Sequence, residues 1–262
     1  MAESRSPLKD KPLRNPGQSV HEQRVDLVFD KLMAPLSIAL LTLLLALVDW
    51  IHYYRPRTNQ PWLSSALAGA ALIYAGWKFW RYLPGIRMLR LAESGEKAVG
   101  QFLERLRESG YAVFHDLVGT DFNVDHVIIG PAGVFTIETK TWNKPGTGNP
   151  RISFDGETLR VAGREPDRNP VIQAKAQASW LQRLLAESTG KTFTVRPVVL
   201  FPGWYVEDNR SRRKDLWVLE PKALSPFLAN EPSVVSPQDV KLASFHLSRF
   251  IRAQELALEE AS

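Results

Sequence analysis

Two carboxylates and a lysine lie on a predicted β-hairpin that spans residues 123–140. Its two segments are rich in Val, Ile, Phe and Thr, and a Gly-Pro-Ala-Gly turn signal joins them. If the turn is symmetric, Ile129 pairs with Val134, and the same register sets Asp125 opposite Glu138. Two like charges that face each other destabilise a sheet, so a divalent cation is the simplest partner for this pair. A one-residue bulge would break the register and separate the two carboxylates.

Lys140 completes a set of residue types that suits the metal-dependent hydrolysis of phosphodiesters. Strand side chains alternate in direction, so Lys140 is predicted on the same sheet face as Asp125 and Glu138. Carboxylate oxygens hold Mg²⁺ or Mn²⁺, the cation lowers the pKa of a bound water, and a lysine orients that water and offsets negative charge. The alternative is that Glu138 and Lys140 form a solvated strand face. His126 points to the opposite face and is predicted to be a core histidine rather than a ligand.

A third acid is predicted next to this group, on the helix that precedes the strands. The pattern predicts a helix over residues 95–109, in which Val99, Leu103 and Leu106 form one apolar stripe. Glu96 lies on the same stripe, three residues before its first member. A buried acid needs a partner, and we therefore expect Glu96 to support the metal site. The alternative is an exposed acid in the first turn, where the helix dipole favours it.

These residues belong to motifs that resemble those of a known family. The motifs are Gly95-Glu96, Asp125-His126, Gly133-Val134-Phe135, Ile137-Glu138-Thr139-Lys140 and Asn169-Pro170-Val171-Ile172-Gln173. In this order and spacing they resemble the nuclease-related domain, or NERD domain, over roughly residues 94–203. That domain is similar to the PD-(D/E)xK nuclease superfamily, which has a restriction-endonuclease-like fold.

The resemblance assigns a role to each of these side chains. Asp125 and Glu138 become metal ligands, and Lys140 becomes the catalytic lysine. Glu96 becomes a supporting acid and a further metal ligand, and Gln173 becomes a residue of the catalytic site that a helix contributes. For Gln173 the alternative is an ordinary position on the surface of its helix.

Strands and helices are predicted to alternate along residues 94–262. Asn169 followed by Pro170 is a helix-start signal, and Asp155-Gly156 marks a second hairpin. Strands are predicted at residues 111–118, 123–129, 134–140, 151–154, 158–161, 194–201 and 216–219, and helices at 95–109, 170–188 and 237–259. This order predicts an α/β (α+β) class in which helices flank a central mixed sheet.

The composition excludes some chemistries and mildly favours an anionic partner. The 262 residues include no cysteine, which excludes disulfides, zinc-thiolate sites and thiol catalysis. The formal net charge is +5. A basic protein of this kind favours phospholipid or nucleic acid as a partner.

Two apolar runs predict a transmembrane helical hairpin over residues 32–82. Residues 32–48 are uncharged and of about membrane-spanning length, and residues 62–77 form a second, weaker run. Lys and Arg are in excess on the outer flanks rather than in the connecting loop at residues 52–61. The positive-inside rule then places both termini in the cytoplasm, and we expect the bacterial inner membrane. Membrane lipid is the expected partner of the hairpin and its basic flanks. The alternative is a pair of buried core helices.

Five regions are expected along the chain. They are a disordered cytoplasmic tail at residues 1–31, the transmembrane hairpin at 32–82, a basic juxtamembrane connector at 83–93, the nuclease-like domain at 94–203, and a C-terminal extension with a strand and helices at 204–262.

A basic cluster in the C-terminal extension is a candidate contact for nucleic acid. Its members are Arg210, Arg212, Arg213 and Lys214. Trp204, Tyr205 and Trp217 flank the cluster. Cationic side chains bind phosphates, and aromatic rings stack on bases. A solvated surface loop is the alternative.

Together these patterns predict a membrane-anchored, cytoplasm-facing, Mg²⁺-dependent nuclease that acts on DNA. One alternative is a catalytically inactive module on the same fold, tethered at the membrane, that binds nucleic acid or acts as a scaffold. Another is an envelope-associated interaction protein whose acidic pair is structural. Fold alone does not separate these functions.

Overall fold

The computed structural model describes residues 12–54, 61–119, 122–148, 150–208 and 215–261. The chain divides into two units. One comprises residues 20–91, and the other joins the segment that ends at Ser19 to the residues from Ala92 onwards.

The unit of residues 20–91 is helical. Helix α1 spans Gln18–Val28, a π-helical stretch follows at Phe29–Met33, and helix α2 spans Ala34–Tyr53. They form one helical run of 36 residues, whose most apolar stretch has a mean hydropathy of 2.2. By length and composition this run can cross a membrane, and no second helix among the described residues meets the same measure.

The N-terminal segment differs from the predicted disordered tail over residues 1–31. Residues 1–11 lie outside the described part of the chain, but Gln18–Val28 is helical. Gly17 precedes this helix with a φ of +73°, a conformation that favours glycine. No Gly or Pro interrupts the residues that follow it, so the helix continues.

Helix α3 spans Pro61–Glu104 and is continuous through the predicted connector at residues 83–93. Most residues of that connector are good helix formers, and Pro84 is accommodated within the helix. The helix passes into a 3₁₀ turn at Arg105–Ser109, and Gly110 ends it in the left-handed conformation. The helix that carries Glu96 is therefore a continuation of the helix that carries the second apolar run.

A mixed five-stranded sheet forms the centre of the second unit, which confirms the predicted fold class. The strands are β1 (Ala112–Val118), β2 (Asn123–Gly130), β3 (Gly133–Thr139), β6 (Val195–Leu200) and β8 (Trp217–Leu219), in the order β1-β2-β3-β6-β8. The β1–β2 and β2–β3 pairs are antiparallel, whereas β6 is parallel to both β3 and β8.

The central hairpin has the register that the sequence predicts. Ile129 pairs with Val134, and Gly130 pairs with Gly133 across the turn. The regular pairing continues to His126 and Ile137, and the next position of the same register sets Asp125 opposite Glu138.

A second, three-stranded sheet lies in the same unit. Its strands are β4 (Arg151–Phe154), β5 (Leu159–Val161) and β7 (Tyr205–Asp208), in the order β5-β4-β7. Strands β4 and β5 form the hairpin that the Asp155-Gly156 turn signal predicts. Strand β7 was not predicted from the sequence. It is held by parallel pairing with β4, which is distant in the chain.

Helices cover both faces of the central sheet. They are the end of α3, α4 (Pro170–Thr189), α5 (Pro221–Ala229) and α6 (Pro237–Ala261). On one face, α3 and α5 pack against Phe135 and Ile137 of β3. On the other face, α4 and α6 pack against Val127 and Ile129 of β2. The Asn169 side chain accepts a hydrogen bond from Val171 N and so starts α4 at the position that the sequence predicts.

Candidate active site

Asp125 is fixed to the neighbouring strand at the point where the β2–β3 pairing ends. The backbone N–H of Thr139 donates a hydrogen bond of 2.7 Å to Asp125 Oδ2. Asp125 as a whole residue is half-buried. This bond takes the place of regular strand pairing and holds the carboxylate against β3.

Glu138 lies opposite and is almost fully buried, with 1% of its surface exposed. Gln177 Nε2, on α4, donates to Glu138 Oε2 at 2.6 Å and to the backbone oxygen of Asn123 at 2.8 Å. Lys140 Nζ forms an ion pair with Glu138 Oε1. Both oxygens of Glu138 are therefore held, one by the helix and one by the lysine.

Lys140 bridges the acidic pair and α4. Its Nζ donates to Gln173 Oε1 at 3.3 Å, and its backbone N–H donates to Leu200 O at 2.9 Å. Burial by itself lowers the pKa of Lys140, but the charge and hydrogen bond of Glu138 outweigh it, so the pKa lies above its usual value. Lys140 is thus a cation at neutral pH.

Glu96 joins this group through its charge. It is 6% exposed, which agrees with its predicted place on the buried stripe of α3. Burial, followed by the charges of Asp116 and Glu138, raises the pKa of Glu96 to about 8. Burial also raises the pKa of Asp125 well above its usual value, and the charges of Glu138 and Glu96 raise it further. Three acids therefore share the site with one lysine, and burial together with their mutual repulsion makes Glu96 and Asp125 hold their protons more readily than usual.

A hard cation would offset the repulsion between these acids, although their side chains do not already form a complete metal-binding site. Among the described residues no group of three or more His, Asp or Glu side chains is placed to hold a metal ion. The donors themselves are of the right kind, since Mg²⁺ and Mn²⁺ prefer carboxylate oxygens and keep several waters. Asp125 and Glu138 supply donors of that kind, with one oxygen of Glu138 paired with Lys140.

Gln177 is a site residue that the sequence reasoning missed. It lies four residues after Gln173, one helical turn further along α4, and is 1% exposed. Gln173 is exposed, as its alternative interpretation expects, but its amide oxygen still reaches Lys140. The signal that could have indicated Gln177 is a polar residue on the apolar face between Ala174 and Leu181.

His126 is fully buried on the opposite side, as the sequence predicts. Its Nδ1 lies 2.9 Å from Nδ1 of His115, and His115 Nε2 lies 2.9 Å from Glu104 Oε1. Burial lowers the pKa of both histidines. For His115 the hydrogen bond and charge of Glu104 partly oppose this effect, whereas for His126 the charge of His115 adds to it. The pair belongs to the core and does not approach Asp125 as a ligand.

The predicted nucleic-acid contacts Arg210, Arg212, Arg213 and Lys214 lie outside the described residues. Of the flanking aromatic residues, Trp204 is 2% exposed and Trp217 is 4% exposed, so neither can stack on a base. Tyr205 is 65% exposed and remains accessible.

Comparison with known proteins finds a domain match in the central part of the chain. The model of the nuclease-related domain, NERD, matches residues 91–202. The match contains Glu96, Asp125, Glu138 and Lys140. No curated protein and no solved structure matches the chain significantly.

Proposed function

We propose that this chain is a membrane-anchored, cytoplasm-facing nuclease that hydrolyses the phosphodiester bonds of DNA with the help of Mg²⁺ or Mn²⁺. One observation carries the proposal. Asp125, Glu138 and Lys140 converge on one hairpin within the residues that match the nuclease-related domain.

Asp125 and Glu138 would hold the cation, with Glu96 as a supporting acid. When bound, the cation supplies Lewis-acid polarisation of the phosphate and lowers the pKa of a coordinated water. Gln177 keeps Glu138 in a single orientation, because its amide is itself tied to the backbone of Asn123.

Lys140 would orient the attacking water and offset the charge that develops on phosphorus. The lysine remains protonated, since its pKa lies above its usual value. Its Nζ is held between Glu138 and Gln173, so it can leave the carboxylate without losing every partner.

The membrane anchor is proposed to contain two spans, α2 and the first part of α3. Trp50 Nε1 of α2 donates to Ser65 Oγ of α3 at 3.0 Å, so the two helices lie side by side. Small residues are buried along both helices, namely Ala39, Ala46, Ala68 and Ala75. Such residues allow close helix packing in lipid.

The outward surface of this helix pair also supports membrane insertion. Leu63 is 82% exposed, Ile73 is 76% exposed and Trp80 is 81% exposed on α3. On α2 a similar apolar surface is formed by Leu40, Leu41 and Leu45. Lipid would cover side chains that water does not favour. With the basic flanks of the sequence, this hairpin would leave both termini in the cytoplasm, where chromosomal DNA is accessible.

DNA is the proposed substrate because a nuclease-related domain implies nucleic acid and the chain carries a net charge of +5. The basic cluster Arg210, Arg212, Arg213 and Lys214 would contact the phosphates. The exposed ring of Tyr205, five residues before the cluster, would stack on a base.

One observation favours the second candidate function, an inactive module that binds nucleic acid or acts as a scaffold. Lys140 and Gln177 already engage both oxygens of Glu138 without a cation. A structural role for the acidic pair would need no more than this.

A cleavage assay on the full chain in lipid nanodiscs separates the two functions. Supercoiled plasmid and labelled single- and double-stranded oligonucleotides are incubated with Mg²⁺, Mn²⁺ or EDTA. We expect cleavage with either cation, none with EDTA, and none for Glu138→Gln. The matched control Glu207→Gln changes an exposed acid of the second sheet and should cleave normally. Nucleic-acid binding without cleavage under every condition would favour the inactive module.

A further inference from the structure

A buried arginine joins the segment before the apolar helical run to the edge of the central sheet. Arg14 is 6% exposed, and its Nε donates to Asp116 Oδ2 at 2.7 Å. Its Nη1 donates to Glu255 Oε2 on α6, also at 2.7 Å. Arginine is almost never buried unless it is paired, and here two of its partners are acids of the same unit. The segment is thereby fixed to β1 and α6.

Asp116 receives three donors from this one segment. Besides Arg14, the backbone N–H and the hydroxyl of Ser19 each donate to Asp116 Oδ2 at 2.8 Å. Asp116 is 2% exposed and has a φ of +52°, a backbone conformation that residues with a side chain seldom adopt. An unfavourable backbone conformation persists only where surrounding contacts hold it in place. At Asp116 the hydrogen bonds from Arg14 and Ser19 provide those contacts.

The same segment packs along α3 on both sides of Glu96. A Cβ at Gly100 would lie 2.6 Å from Pro16 Cβ, so only glycine allows this approach. A Cβ at Gly17 would lie 3.3 Å from the backbone oxygen of Glu93. The contacts at Glu93 and Gly100 bracket the position of Glu96 on the helix.

Asp116 lies close enough in the sheet for its charge to act on the acidic site. The register of β1 and β2 sets Asp116 opposite Asp125, between two regularly paired positions. The guanidinium of Arg14 therefore offsets the charge of an acid that lies opposite Asp125 on the neighbouring strand.

We propose that residues 13–19 form a clasp that completes the acidic site, and that Arg14 is its positioning residue. Arg14 fixes Asp116 in its strained conformation and sets the negative charge that surrounds Glu96 and Asp125. The clasp leads directly into the helical run that begins at Gln18 and contains the first apolar stretch. The site is thus built from residues on both sides of that run, and a fragment that starts at Ala92 would lack one of its parts. The clasp itself does not depend on the proposed function. Its effect on the charge of the site does, because that effect is measured through the binding of a divalent cation.

Thermal unfolding of the full chain without divalent cation tests the clasp by itself. Arg14→Ala, Asp116→Asn and the double variant are compared in the same nanodiscs. Each single substitution should lower the melting temperature, because it leaves a buried charge or donor without its partner. The double variant should be no less stable than the worse single variant, since the same contact is lost. Additive losses would overturn the contact as the reason for the strained Asp116.

Calorimetric titration with Mg²⁺ and Mn²⁺ tests the positioning role. Arg14→Ala makes the field at the site more negative and should tighten cation binding by about fivefold. Asp116→Asn makes the field less negative and should weaken binding by about the same factor. Opposite directions are the signature, since a merely structural role would weaken both. Arg14→Lys keeps the charge and should bind within about twofold of the parent.

A matched control is Arg151→Ala, which removes an exposed arginine from its pair with Glu207 in the second sheet. Its cation affinity should equal that of the parent. If Arg14→Ala and Asp116→Asn weaken binding alike, Arg14 is only structural and the positioning role is overturned. If the parent binds neither cation, the proposed metal dependence falls, while the coupling in thermal unfolding still decides whether the clasp exists.

Discussion

Gln177 and Glu138 are joined by a hydrogen bond of 2.6 Å that ties helix α4 to strand β3. The same amide nitrogen bonds the backbone oxygen of Asn123 on β2, so one side chain connects three elements. Both partners are almost fully buried, with 1% of each exposed. The orientation of the central carboxylate is therefore determined by α4 and not by the hairpin alone.

Gln177→Leu should destabilise the fold and disorder the site. The substitution has a similar volume but leaves a buried carboxylate oxygen and a backbone oxygen without this donor, which costs about 1–3 kcal/mol. Chemical denaturation of the full chain measures the loss. The control Gln182→Leu makes the same change at a half-buried position of the same helix and should stay within about 0.5 kcal/mol. Equal effects of the two substitutions would contradict the role assigned to Gln177.

Lys140→Ala should reduce single-turnover cleavage by about a hundredfold or more. That is the scale seen when one preorganised donor that stabilises the transition state is lost. Cation binding should survive and become tighter, because the ion pair that competes for Glu138 Oε1 disappears. DNA affinity should fall only slightly, since one phosphate contact among many contributes little.

Lys144→Ala serves as the control for Lys140→Ala. Lys144 is exposed and lies over the Trp204 ring, with its Nζ 5.6 Å from the ring centre. It should leave the cleavage rate unchanged. A Lys140→Ala variant that cleaves at the parent rate would remove the lysine from the mechanism.

The hairpin and its acids could be predicted because their determinants are local. Turn residues and alternating apolar side chains fix the register from Gly130–Gly133 back to Asp125 and Glu138 without reference to the rest of the chain. The periodicity of the helix likewise placed Glu96 on the buried face of α3.

The remaining parts of the site depend on pairings between distant residues. Arg14 and Asp116 are 102 positions apart, and no sequence pattern around either residue predicts their contact. Strand β7 exists only through its parallel pairing with β4. Gln177 is one of several polar residues on α4, and only the fold shows which of them reaches Glu138.

Reporter fusions should locate both the C-terminus and the N-terminus in the cytoplasm. The prediction follows from the two apolar helices and from the excess of Lys and Arg on their outer flanks. A cytoplasmic reporter at the C-terminus should be active, and a periplasmic reporter inserted within residues 52–61 should be active as well. Periplasmic activity at the C-terminus would contradict the topology and separate the site from chromosomal DNA.

Glu96 should make the stability of the cation-free protein decrease as the pH rises. The pKa of Glu96 in the folded chain is about 8, whereas an unperturbed glutamate has a pKa of 4.5. Between these values the folded state binds more protons than the unfolded state, so unfolding releases protons and becomes easier with increasing pH. The stabilisation is complete below the lower pKa and is lost as the pH passes through the higher one. Asp125 acts in the same direction, because its pKa is raised too.

Glu96→Gln should remove most of this dependence, because the amide cannot ionise. Melting temperatures measured from pH 5 to pH 9 should then fall less steeply for the variant than for the parent, with the largest gain at about pH 9. Mg²⁺ should also flatten the parent curve, since binding to the folded state stabilises the ionised acids. Glu108→Gln, on the 3₁₀ turn after α3, is the exposed control and should follow the parent. A parent curve with no fall between pH 5 and pH 8 would show that Glu96 is ionised throughout, and that the acidic site carries its charge without a cation.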